Sequence, residues 1–184
     1  MHYISYMNKK INCLTSSQLD LYRSHIDYIL DNNMMERVSD NGPFANTHQQ
    51  YGDVITELLL HYLKLKIQYI YGKELVPTYS FWRRYYENQD CFSHKDRESC
   101  QVSVSISLGG KGGDDWAFYV EDKKHILKPG QGVLYNGVDL EHWRHKLPYE
   151  SHSNIFLHYI EKDGEYYPKY KYDQRTQIYM PPQN

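Results

Sequence analysis

Residues 101–108, Gln-Val-Ser-Val-Ser-Ile-Ser-Leu, alternate polar and apolar side chains without a break, and this stretch decides the fold class. Successive side chains of a strand leave on opposite faces, so period-two alternation predicts a half-buried β-strand. Turn signals and further short strand candidates follow it: a glycine-rich turn over 109–115, then segments 116–120, 125–127, 132–135 and 154–160. Upstream, beyond Pro77, residues 79–86 are dense in aromatic side chains, which favour pleated, half-buried surfaces.

The chain before residue 72 has a different texture. Ser16 and Ser17 are cap candidates for a helix carrying Leu19, Leu21, Ile26, Ile29 and Leu30, which weakens at Asn32 and Asn33. A loop with Gly42-Pro43 spans 39–46. A second helix is predicted over 51–71, with Val54, Leu58, Leu59, Tyr62, Leu63 and Ile67 at helical spacing and Gly72 as its stop. Helices first and many short strands afterwards predict a mainly β fold, a sandwich or small barrel with the helices packed on one outer face. The chain reads as a single domain over 1–184, with helical support in 1–72, a β core in 73–163, and a polar, tyrosine-rich tail in 164–184 that closes on Pro181-Pro182.

Composition narrows the function classes. The chain has 184 residues, 21 basic and 23 acidic, for a formal net charge of −2. That balance argues against a nucleic-acid backbone binder and against a polybasic membrane protein. No apolar run approaches the roughly 18 residues that span a bilayer. Residues 1–14 lack the long apolar centre of a signal peptide. Cys13, Cys91 and Cys100 form no C-x-x-C pair and leave an odd cysteine, which fits a reducing, cytoplasmic compartment.

The residues that carry chemistry are His94-Lys95-Asp96 and, much later, His142. Two imidazoles and one carboxylate on one face of a metal leave the opposite positions open, the ligand set of non-haem Fe(II) oxygenases. An H-x-D triplet alone is weak, and the chain contains a second one, His25-Ile26-Asp27. That one falls in a predicted helix, where residues two apart point in different directions. His94 and Asp96 fall beside a predicted strand, where residues two apart share a face. Cys91 and Cys100 flank the triplet at a spacing that fits no zinc pattern. Gly109-Gly110-Lys111-Gly112-Gly113 lacks the G-K-[ST] ending of a phosphate loop and reads as a flexible hairpin.

Three segments, PTYSFWRRYYENQDCFSHKDRESCQVSVSISLGG (77–110), LKPGQGVLYNGVDLEHWRHKL (127–147) and SNIFLHYIEKDG (153–164), together with Trp116, resemble the 2-oxoglutarate/Fe(II) dioxygenase superfamily. Within it they resemble a prokaryotic and phage-type branch similar to the prolyl hydroxylases, and the likeness covers about half of the chain. It implies a double-stranded β-helix (jelly-roll) core and a decarboxylative oxidation using Fe(II), 2-oxoglutarate and O2, with ascorbate in support. It also implies His94, Asp96 and His142 as the iron ligands. Many relatives carry an Arg or Lys about ten residues after the distal His to hold the far carboxylate of 2-oxoglutarate; here that position is His152. Arg144, Arg84 or a protonated His152 must then supply the cation, the arginines being the better physical partners. Tyr79 and Tyr135 are candidates to donate hydroxyls to the same group, or are barrel packing. Gln131 replaces an acidic turn residue of the relatives, with no functional consequence.

Arg97, Trp82 and Trp116 are candidate substrate-pocket residues, with Trp143 and Tyr149 as further wall candidates. Halogenating relatives leave the Asp96 position without a carboxylate, so its presence argues for hydroxylation. The resulting expectation is hydroxylation of an unactivated C–H bond of an amino acid, a peptidyl side chain or a small metabolite, with release of succinate and CO2. A cupin-like metalloenzyme without 2-oxoglutarate, or a jelly-roll binding module with structural histidines, remain the alternatives.

Overall fold

The computed structural model describes residues 7–38, 46–178 and 180–182; the 39–46 loop, Asn46 apart, and residues 1–6 lie outside them. Two helices come early, α1 (Ser16–Asp31) and α2 (Val54–Tyr71). The cap of α1 is Thr15, one residue before the expected serines, because Gln18 stands three positions on and completes a capping box with it. Asp53 caps α2 by accepting from the Ile55 amide, and Gly72 ends it in the left-handed region at φ 89°. The expected start of α2 near residue 51 is therefore early by three residues: Tyr51 belongs to a strand.

Among the described residues, ten strands make two antiparallel sheets. In chain order they are β1 (Asn8–Asn12), β2 (His48–Tyr51), β3 (Leu75–Tyr86), β4 (Cys91–His94), β5 (Val102–Lys111), β6 (Phe118–Val120), β7 (Lys123–His125), β8 (Gln131–Tyr135), β9 (His142–Arg144) and β10 (Ser151–Glu161). The larger sheet runs β1-β8-β5-β10-β3-β2 and the smaller β4-β9-β6-β7. No helix among the described residues is long and apolar enough to cross a membrane.

The helices cover one face of the larger sheet. Ile26, Leu59, Leu63 and Ile67 pack there with Trp82, Val104, Ile106, Ile155 and Leu157. Only one side of α2 is used: Val54, Leu58 and Tyr62, which share its apolar spacing, are 51%, 65% and 70% exposed. β5 departs from the half-buried expectation, since all of 102–108 is buried. Its valines, Ile106 and Leu108 face the helices, while Ser103 and Ser107 hydrogen-bond to His158 and His152. The alternation thus marks two buried faces, one apolar and one hydroxyl-lined, because the second sheet covers what would have been the wet side. The 109–113 glycine run is also more ordered than expected, since Gly109–Lys111 continues β5 against β10. A Cβ on Gly110 would fall 1.8 Å from the Ser151 carbonyl oxygen, so only glycine lets the strands approach there.

Candidate metal centre and its cavity

Strand pairing brings two distant histidines together. β4 and β9 are antiparallel neighbours in which His94 stands opposite His142, and their rings lie 4.3 Å apart. Asp96 lies just past the end of β4, and its backbone amide donates to the Gly137 carbonyl at 2.8 Å, which turns the chain back toward the two rings. Shared strand-face geometry therefore does not bring Asp96 to the site, contrary to the reading from the triplet alone; a backbone anchor does.

The tautomers follow from the backbone. Nδ1 of His94 lies 2.9 Å from the Phe92 carbonyl oxygen, and Nδ1 of His142 lies 3.0 Å from that of Leu140. Each Nδ1–H donates to its carbonyl, so each Nε2 presents a lone pair. These Nε2 atoms stand 3.7 and 3.5 Å from Asp96 Oδ1, and the three donor atoms meet the spacing of a metal cluster, all within 4.8 Å. Burial would raise the Asp96 carboxyl, but the polar surroundings made by His142, then His158 and His94, hold it below the usual range. Burial, then His142, lowers the His94 imidazole, which keeps it neutral and available as a ligand. Behind Asp96, Ser103 Oγ donates to its Oδ2 at 3.3 Å and lies 2.8 Å from His158 Nδ1. Cys100 and His158 form a second donor group with the same Asp96, but burial pushes the Cys100 thiol well up and keeps it protonated.

The three donors line a cavity of about 210 Å³ between the sheets, together with Arg144, Arg83, Tyr79, Tyr135 and the Phe81–Phe156 pair. Arg144 is 4% exposed. Its Nη1 donates to the Trp116 carbonyl at 2.8 Å, and its guanidinium carbon lies 4.6 Å from the Trp116 ring centroid and 4.9 Å from that of Phe118. Its Nη2 is buried and has no hydrogen-bond partner. Burial pulls its pKa down to about 10, so it remains charged at neutral pH. A buried, charged donor without an acceptor is costly unless an anion completes it. That orphaned atom and the open donor set are what a metal-chelating dicarboxylate requires.

The remaining candidates divide by face. Tyr79 and Tyr135 line the cavity; Tyr79 donates toward or accepts from Cys100 Sγ at 3.1 Å, and Tyr135 packs on His142 at 4.8 Å. Arg84 does not line it: it bonds Ser153 Oγ and Asp27 Oδ1, at 2.7 and 2.6 Å, on the helix side of β3. Strand alternation puts Arg83 on the cavity side instead, in step with Tyr79, Phe81 and Tyr85. His152 is likewise outside the cavity lining, and burial, then Arg144, Arg23 and Arg84, push its pKa to about 3, so it is not a cation. Trp82 lies in the helix-side core and donates to Asp53 Oδ2 at 3.0 Å. Trp116 backs Arg144 and packs on Tyr85 outside the lining. Arg97 is taken by Asp173, with both Nη atoms at 2.7 Å, and its guanidinium lies over Tyr79 at 4.8 Å. Trp143 stacks on Tyr119, and Tyr149 bonds Asp115. The decoy His25 pairs with Asp53 at 2.8 Å, on the helical layer.

No protein-family model matches the chain, and no curated protein does. Solved structures do. The non-heme alpha-ketoglutarate-dependent carbocyclase SnoK from nogalamycin biosynthesis superposes with a TM-score of 0.70 at 12% identity, over 99% of this chain and 91% of that one. HygX from Streptomyces hygroscopicus, solved with nickel, 2-oxoglutarate and hygromycin B, gives 0.65 at 14% over 86% and 84%. The viral collagen prolyl hydroxylase of Paramecium bursaria Chlorella virus 1, solved with 2-oxoglutarate, gives 0.60 at 11% over 83% and 94%. At these identities the likeness is one of fold. The chain has the fold of the 2-oxoglutarate/Fe(II) oxygenases, its prolyl-hydroxylase-like branch included.

Proposed function

We propose that this chain is an Fe(II)- and 2-oxoglutarate-dependent oxygenase, one domain over residues 1–184 with a double-stranded β-helix core, that hydroxylates an unactivated C–H bond of a small-molecule or peptidyl substrate. The observation that carries the reading is the meeting, in one cavity, of the His94–Asp96–His142 donor set and a buried Arg144 with an unpartnered Nη2. When bound, Fe(II) with 2-oxoglutarate and O2 would supply the oxidising power, with succinate and CO2 as the expected co-products.

The chain's own part is to hold and orient. His94, Asp96 and His142 would hold the ion, with all three side chains in the lining of one cavity. Their aim is fixed in advance by the carbonyls of Phe92 and Leu140 and by Ser103. Arg144 would take the far carboxylate of 2-oxoglutarate through its unpartnered Nη2, beside the Trp116 and Phe118 rings that pack on the guanidinium. Asp96 keeps a carboxylate where a halide would otherwise sit, which supports oxygen transfer over halogenation. Three buried free cysteines support a cytoplasmic, reducing location.

The test is succinate release from 2-oxoglutarate with Fe(II), followed across variants. Arg144→Gln is expected to raise the KM for 2-oxoglutarate at least tenfold, about 1.4 kcal/mol for a lost charge-assisted contact. Wild-type protein that binds metal but releases no succinate, or an Arg144→Gln variant with an unchanged KM, would refute the reading.

A further inference from the structure

We propose that two copies of this chain pair through the outer face of α2, the two helices running antiparallel about a two-fold axis between residues 63 and 64. The inference goes beyond the oxygenase reading above and does not depend on it.

α2 carries two apolar stripes, where a helix that covers one sheet needs only one. Leu60, Leu63 and Ile67 are buried in the core beneath it. At about 100° per residue, Val54, Leu58, Tyr62, Leu65 and Tyr69 fall within about 40° of a single line on the opposite side. Leu65 and Tyr69 are 71% and 89% exposed, so the outward stripe continues past the three residues noted above to the end of the helix. Leu58, Tyr62, Leu65 and Tyr69 stand four, three and four residues apart, the seam spacing of one helix packed against another. The five side chains together present on the order of 700 Å² of surface. A standard stable interface covers roughly 800 Å² on each partner.

The order of side chains along the seam selects a second copy as the occupant. Leu and Tyr alternate, so an antiparallel copy sets Leu58 against Tyr69 and Tyr62 against Leu65. Every layer then joins one smaller and one larger side chain, and the two-fold axis repeats each contact. A parallel copy would set Tyr on Tyr and Leu on Leu. Two grooves adjoin the stripe, one lined by Tyr62, Leu65, Leu14 and Gln18, the other by Leu65, Tyr69, Gly72 and Lys73. They give the tyrosine rings of the second copy a place to seat, with their hydroxyls at the wet rim. The edges of the stripe do not select a charged partner. Glu57, the one acidic residue of α2, is buried, and Lys66 turns its ammonium back to the Asn12 carbonyl at 2.6 Å. The metal cavity lies on the other side of the larger sheet, so pairing through α2 leaves it open.

The experiment is sedimentation equilibrium of the full-length protein from about 1 to about 200 µM, where a Kd below about 10 µM is expected for a dimer. Tyr62→Glu and Leu65→Glu should each raise that Kd at least thirtyfold, with circular dichroism and Ni(II) binding unchanged. Orientation is read from cysteines. A Leu58→Cys, Tyr69→Cys double variant should form a disulfide-linked dimer under mild oxidation, and Leu58→Cys alone should not. Antiparallel pairing holds the two copies of residue 58 about 16 Å apart, beyond the reach of a disulfide, and positions 58 and 69 of one chain are as far apart. Should a glutamate variant lose its fold, the cysteine pair decides alone. A wild-type monomer at the highest concentration overturns the proposal; if that monomer floats with phosphatidylcholine–phosphatidylglycerol vesicles and Leu65→Glu does not, the stripe is a lipid-binding face instead. A dimer that both glutamate variants leave intact also overturns it, as does cross-linking by Leu58→Cys alone.

Discussion

Gly137 lies so close against Asp96 that a Cβ at residue 137 would stand 2.4 Å from the Asp96 Oδ2 atom and 2.5 Å from the Cys100 carbonyl oxygen. The same glycine accepts the Asp96 amide through its carbonyl and donates its own amide to the Gln101 carbonyl. Backbone contact fixes where Asp96 begins, and the missing side chain leaves room for where it ends. Gly137→Ala must therefore move the carboxylate or the 137 turn. Overpacking of this kind costs about 1–3 kcal/mol of stability. Ni(II) affinity by calorimetry is expected to fall at least tenfold, with the β-sheet circular dichroism retained. An alanine variant that binds Ni(II) like the parent would show that Asp96 does not need this anchor.

The donor set makes a second prediction, with a control built into the chain. An ion present at a hundred times its Kd adds about 2.7 kcal/mol to folding, which for a domain of this size is a rise of about 5–10 °C in Tm. His94→Ala, Asp96→Ala and His142→Ala should each lose that rise with Ni(II). His25→Ala should keep it, because its imidazole is spent on Asp53 in the helical layer. Thermal scans with and without Ni(II) decide the matter, and a rise surviving in any of the three ligand variants would remove that residue from the set.

The alternation at 101–108 was enough to read the strand and the mainly β class, because period two survives whatever covers each face. What covers each face is a tertiary fact, so the serine face was read as wet when it is buried. β1 and β2, NKKIN and HQQY, carry no alternation and lie at the sheet edges, where polar strands pair without burying much. The nearness of His94 to His142 depends on the β4–β9 register, which no spacing along the chain encodes. The choice between Arg83 and Arg84 was legible in principle. Residues 79, 81, 83 and 85 share one face, so a cavity role for Tyr79 carries Arg83 with it and excludes Arg84. Asp173 lies in a polar tail without periodicity and left no signal.

That tail residue makes the third prediction. Asp173 is 1% exposed and accepts from both Nη atoms of Arg97 and from the Tyr51 hydroxyl at 2.6 Å. Its neighbours Tyr172 and Gln174 share its left-handed backbone, at φ 51°, 55° and 56° along the three, a conformation that costs a non-glycine residue about 1 kcal/mol or more. The buried carboxylate offsets that cost. The Arg97 side chain is 45% exposed, so solvent screens its half of the pair. Asp173→Asn is expected to lower stability by about 1–3 kcal/mol and to speed tryptic cleavage after Lys171 and Arg175. Unchanged denaturation midpoints together with unchanged cleavage would mean that the tail is held by something else.

The last prediction concerns acid. Burial, then the neighbouring arginines Arg144, Arg23 and Arg84, depress His152 to about 3. Burial depresses His158 to about 4, against the pull of Asp96 in the other direction. Both ordinarily titrate at about 6.5 once unfolded. Below that value the unfolded chain takes up protons that the native chain refuses, so stability falls with falling pH. The contribution of the pair is complete above about pH 6.5 and is lost toward the folded values. His125, depressed to about 4 by burial and then by Lys123 and Lys10, acts in the same direction. For metal-free protein, His152 and His158 alone are expected to remove roughly 2.5 kcal/mol of unfolding free energy between pH 6 and pH 5, from about two protons per molecule. Denaturant titrations at half-unit steps of pH measure this slope, and His152→Gln should reduce it by about one proton. A stability that stays flat or rises from pH 6.5 down to pH 5 would show that these imidazoles are hydrated enough to titrate normally, and that the inter-sheet interior is wetter than its packing indicates.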